Sequence, residues 1–103
     1  MKSLRIAFAG LLVGTLSNTM SLAADAQHGK VLAERWCASC HLVGPVQRQG
    51  SADVAPFATV GRDPAFNAER LAFFLLDPHP KMPDMQITRS EAQDLAAYIK
   101  GLR

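Results

Sequence analysis

Two cysteines stand three positions apart and a histidine follows the second, in the run Trp36-Cys37-Ala38-Ser39-Cys40-His41. They are the only two cysteines in the chain. Cys-x-x-Cys-His is the spacing at which a polypeptide can hold a haem covalently. Each thiol can add across one vinyl group of the porphyrin, and the histidine is then placed beneath the iron as an axial ligand. A small chain that carries such a group has to fold around it.

Two other chemistries use paired cysteines, and neither suits the surroundings. A disulfide redox motif belongs near a strand-helix-strand pattern with its first thiol at a helix start. Here a helical stretch precedes Cys37, and no strand run is found. A structural zinc site needs four ligands, usually from two knuckles. Only His28 and His79 remain as candidates, and neither sits at knuckle spacing.

Residues 1–23 read as an address to be removed. Lys2 and Arg5 make a positive start, residues 6–16 are apolar, and Ser21-Leu22-Ala23 offers small residues where a signal peptidase inspects them, so cleavage is expected after Ala23. The apolar run, with Gly10 and Gly14 inside it, falls well short of the roughly 20 residues of a spanning helix. Without Lys2 and Arg5 the mature chain carries nine basic residues against nine acidic ones. That balance leaves no basic patch for nucleic acid. What remains, residues 24–103, is one domain of about 80 residues, a size at which a hydrophobic core alone is marginal. A covalently held haem would supply the missing core.

The mature chain opens as a helix, with Asp25 as N-cap and Val31, Leu32 and Trp36 at helical spacing, and it ends at the cysteine motif. Gly29 and Ala33 lie four apart on one face, a notch that another helix can approach closely. Residues 42–65 hold little periodicity and many breakers, as expected of a segment that wraps around something. Arg48 and Arg62 are candidates for pairing with haem propionates. Helical character resumes over residues 67–76 with Asn67 as cap, and Phe73, Phe74 and Leu76 make it apolar nearly all round, so it is expected to be deeply buried. Thr88-Arg89-Ser90-Glu91 is a capping box, and Ala92, Leu95, Ala96, Ile99 and Leu102 form the apolar stripe of a final helix.

Between those last two helices runs Asp77-Pro78-His79-Pro80-Lys81-Met82-Pro83. Three prolines in six positions make a stiff extended strap. Thioether sulfur binds iron weakly, so a methionine ligand works only where the protein holds it in place. A methionine that merely filled core would not need three prolines around it. Met82, Met85 and His79 all lie on or beside the strap, and position alone does not choose among them.

Taken together, the mature chain resembles the small class I c-type cytochromes of bacteria over nearly its whole length. The resemblance rests on Gly29, Cys37-Ala38-Ser39-Cys40-His41, Ala55-Pro56-Phe57, His79-Pro80-Lys81-Met82-Pro83 and Leu95-Ala96-Ala97-Tyr98-Ile99. It implies an all-α fold of three to four helices wrapped around one haem c, attached through Cys37 and Cys40 with His41 as proximal ligand. The family's distal methionine falls in a Met-Pro pair about sixteen residues before the C-terminal aromatic, which selects Met82 over Met85. A backbone carbonyl in the family fixes the proximal imidazole, and Pro56 matches it better than Pro45, although Ala55 stands where a glycine is usual.

The function implied is that of a soluble periplasmic carrier of single electrons, not an enzyme. Its expected partners are redox proteins, with no nucleic acid and no stable membrane insertion. It is expected to be a monomer unless part of a complex. Two other readings share the motif. One is an electron-transfer subunit of a dehydrogenase or oxidase; the other is a haem enzyme or gas sensor whose sixth ligand is displaceable.

Overall fold

The computed structural model describes residues 10, 14, 15, 23–47, 49–78 and 80–103. The leader read from residues 1–23 falls almost wholly outside them, as do Arg48 and His79. Among the described residues four helices follow in order: α1 (Ala26–Trp36), α2 (Phe57–Arg62), α3 (Ala68–Leu76) and α4 (Arg89–Lys100). There is no strand among the described residues. No helix among them is long and apolar enough to cross a membrane.

Local chemistry starts three of the helices where the sequence places their caps. The Asp25 carboxylate accepts from the N–H groups of Gln27 and His28 at 3.0 Å each, satisfying donors that the first turn of α1 leaves open. Asn67 does the same for Arg70 at 2.8 Å. At α4 the capping box closes in both directions: Glu91 N–H donates to the Thr88 hydroxyl at 3.1 Å and Thr88 N–H to the Glu91 carboxylate at 3.0 Å. These paired bonds hold the Glu91 carboxyl below its ordinary range. Between α3 and α4 the strap turns on Asp84, whose carboxylate accepts from Gln86 N–H at 2.8 Å while Gln86 takes a left-handed φ of 53°.

Both ends of the domain meet where α1 packs on α4. A methyl group on Gly29 would stand 2.0 Å from the Asp94 carbonyl oxygen, so the two backbones touch at the notch that the sequence offers. Gly61 of α2 is used in the same way, since a methyl there would lie 2.4 Å from the Ile99 carbonyl oxygen. Asp94, the only buried charged residue among the described residues, ties the α1–α4 contact polar-side: one carboxylate oxygen accepts from Asp25 N–H at 2.7 Å and the other faces His28 Nδ1 at 2.7 Å. A buried carboxylate costs folding energy unless it is bonded in this way.

Around this contact the core forms from Leu32, Ala33, Cys37, Val43, Phe57, Leu95 and Ile99. A second small cluster of Ala72, Ala92 and Ala96 joins α3 to α4. Two expectations need correcting. Residues 57–62, read as irregular, form the short helix α2, which is closed by Gly61 packing on α4 rather than by any periodic apolar stripe of its own. The helix α3, expected to be deeply buried, has only Ala72 buried, while Phe73 is 76% exposed and Phe74 38%. Its all-round apolar character has a different cause: α4 takes one side, and Phe74 borders a cavity on another.

Gly29→Ala is expected to destabilise the haem-loaded protein by about 3 kcal/mol, because the added carbon forces two backbones apart. Denaturant unfolding measures it, and a loss below about 1 kcal/mol would mean that α1 and α4 separate without resistance.

Candidate functional site

The cysteine motif begins at the last residue of α1. Cys37 caps that helix, its N–H donating to Ala33 O at 2.9 Å, and the chain tightens into a turn in which Cys37 O accepts from Cys40 N–H at 3.2 Å and His41 N–H at 2.8 Å. Burial pushes the Cys37 thiol up to about 11, and a helix C-terminus does not favour a thiolate. A redox-active pair needs the opposite, a lowered pKa at a helix start. Both cysteines are free, Cys37 buried and Cys40 exposed. Among the described residues no three His, Cys, Asp or Glu side chains gather to hold a metal ion by themselves.

His41 is oriented by a loop that returns to the motif. Ser51 N–H donates to Cys40 O at 2.7 Å and Phe57 N–H to Leu42 O at 2.9 Å, so the intervening residues are carried over the imidazole. There the His41 Nδ1 lies 2.7 Å from the Ala55 carbonyl oxygen. A carbonyl can only accept, so Nδ1 carries the proton and Nε2 keeps its lone pair for a metal. The Phe57 ring braces the imidazole, with centroids 5.0 Å apart and planes tilted by 45°.

This corrects the carbonyl assigned to Pro56. The Pro56 oxygen is occupied, accepting from Thr59 N–H at 3.0 Å and Val60 N–H at 3.1 Å as the N-cap of α2. Pro56 acts one step removed. A residue before proline is driven into extended backbone, which stiffens the placement of the Ala55 carbonyl.

Trp36, both cysteines and His41 line one side of a cavity of about 410 Å³, and Lys81, Met82, Pro83 and Met85 line it from the strap. Val54, Ala55 and Phe74 close it. The structure therefore brings both methionines to the cavity along with His41, and Arg62 lies exposed on α2 away from its lining. A larger groove of about 590 Å³ between α3 and α4 carries no cysteine, histidine or methionine. Two thiols, an imidazole with a free Nε2 and thioether sulfur facing one mostly apolar space form a donor set that fits a covalently bound haem. The sequence reading met Ala55 and Phe57 only as neighbours of Pro56 and gave neither a role at His41; the signal available for Ala55 was its place immediately before a proline.

Residues 24–99 match the family model described as cytochrome c oxidase, cbb3-type, subunit III. Over 87 residues, 84% of either chain, the protein is 61% identical to cytochrome c-552 of Bradyrhizobium diazoefficiens. The chain belongs to the small bacterial c-type cytochromes. No solved structure matches it. As a c-type cytochrome it holds haem c covalently, with Cys37 and Cys40 as its two thiols, and serves as an electron carrier. The four-helix, strand-free arrangement of the described residues is that of a small all-α cytochrome fold.

Pro56→Ala is expected to keep the Ala55 carbonyl but loosen it, weakening the bond to His41 by about 1 kcal/mol. Faster exchange of the His41 Nδ1 proton in the haem-loaded cytochrome reports this, and an unchanged rate would show that the loop alone holds the carbonyl.

Proposed function

We propose that the protein is an exported periplasmic cytochrome that passes single electrons between redox proteins, with His41 and Met82 as its axial ligands. The observation that carries this reading is the shared cavity, which has His41 on the motif side and Met82 on the strap side. Bound haem supplies an iron that changes oxidation state by one electron. The chain's part is to hold both ligands still. Ala55 O orients the imidazole and raises its basicity, and Pro80 and Pro83 restrict the backbone on either side of Met82. A thioether in the sixth place raises the potential relative to a second imidazole. Were His41 and Met82 to hold the haem iron from both sides, no position would be left for a substrate, which favours a carrier over an enzyme.

Export is supported by the charged start and apolar run before Ala23, and by a family match that begins at residue 24. Cleavage after Ala23 would leave Asp25 next to the new terminus, where it caps α1. A second reading, a subunit docked to a larger redox complex, draws support from the oxidase-subunit description of the matching family. Size-exclusion of the native protein separates the two, because a free carrier elutes at the size of the chain alone.

Single changes to alanine at Met82 and Met85 decide the sixth ligand. Met82→Ala is expected to abolish the sulfur-to-iron charge-transfer band of the oxidised protein and lower the potential by at least about 0.1 V, within the roughly 0.8 V that axial ligands command. The same loss in Met85→Ala, with the band intact in Met82→Ala, would overturn the assignment. Carbon monoxide should bind the reduced parent protein poorly; ready binding would favour an enzyme or sensor.

A further inference from the structure

Much of the backbone of the segment that carries His41 is hydrogen-bonded, by backbone groups and by side chains. Cys40 O is taken by Ser51 N–H, Leu42 O by Phe57 N–H, and Val43 O by the Tyr98 hydroxyl from α4. Three more groups of the segment, and Gln49 O beyond it, converge on one side chain, Gln47. Its Oε1 accepts from Val43 N–H at 3.0 Å. Its Nε2 lies 2.9 Å from Ala38 O, 2.8 Å from His41 O and 2.7 Å from Gln49 O.

Only one orientation of the carboxamide satisfies this set, with oxygen on the N–H and nitrogen on the carbonyls. Two hydrogens serve three carbonyl oxygens, so one of them is shared. No other side chain type fills the place. Glutamate lacks the donors, lysine and arginine lack an acceptor for Val43, and asparagine is one methylene short.

The partners of Gln47 lie on both sides of Cys40-His41, so its amide spans the ligand-bearing loop as a strut. At the other end of the His41 side chain, Ala55 O holds Nδ1. We infer that Gln47 is a positioning residue for the redox centre: it fixes the backbone of His41 as Ala55 fixes the ring, so that the imidazole keeps one position in both oxidation states. This rests on the reading of His41 as the iron ligand. A strut of this kind keeps the rearrangement that accompanies each electron small, and removing it changes the potential without touching a ligand.

Gln47→Met tests this in the haem-loaded protein, because methionine has similar length and no N–H to offer. The Val43 amide is expected to exchange about tenfold faster, as for loss of one buried hydrogen bond. The His41 ring resonances and the reduction potential should shift, while the amides of Ala96 and Ile99 in α4 keep their protection. Unchanged His41 resonances with an unchanged potential would overturn the proposal. So would exchange raised equally in α4, which would make Gln47 a general stabiliser of the fold. Should the variant fail to assemble, the parent protein still decides: the Gln47 side-chain N–H protons must exchange slowly, and fast exchange there overturns the proposal. These readouts lie on the His41 side and stand whatever Met82→Ala shows. If His41 were not the ligand, its ring protons in the oxidised parent protein would lack the large through-bond contact shifts that only a residue bonded to the iron shows.

Discussion

Direct backbone contact between α1 and α4 is the constraint on which the rest of the structure depends. It exists because Gly29 presents no side chain to the Asp94 carbonyl, and it brings the end of α1, with the motif that follows, over the start of the core. Asp94 then ties the same junction through Asp25 and His28. Asp94 is buried, and the two contacts to its carboxylate make that burial tolerable.

From that junction the redox site is assembled by stepwise restraint. Cys37 closes α1, the 51–57 segment returns to bond Cys40 and Leu42, and the return delivers the Ala55 carbonyl to the imidazole. Tyr98 reaches from α4 to Val43 O, so the last helix also holds the loop after the motif. The protein side of the centre is thus built chiefly from backbone groups, which have fewer rotamers to lose than side chains. Electron transfer by a ligand set that does not move is the chemistry such a scaffold suits.

The cavity explains features that look unfavourable in the chain by itself. A helix with phenylalanines on more than one face, a strap with three prolines and a buried thiol held near pKa 11 all border or lead to the same 410 Å³ space. Haem c bound in that space, as proposed above, would turn each into a wall contact or an attachment point. Phe73, by contrast, faces away from that space and stays 76% exposed.

What the sequence determined by itself was whatever is encoded locally. The caps at Asp25, Asn67 and Thr88, the notch at Gly29 and the Cys37-Cys40-His41 spacing each depend on residues within about one helical turn, so their geometry follows from short-range rules. Tertiary structure alone decided the rest. Ala55 rather than Pro56 faces His41 because bonds from Ser51 and Phe57 set the register of the returning loop, while the Pro56 oxygen goes to the first turn of α2. Residues 57–62 became helical because Gly61 lets them lie on α4, a contact thirty-eight positions away in the chain that no local period announces. Gln47 carried no motif at all; its place as a strut exists only once Ala38, His41, Val43 and Gln49 have been folded to within reach of one amide.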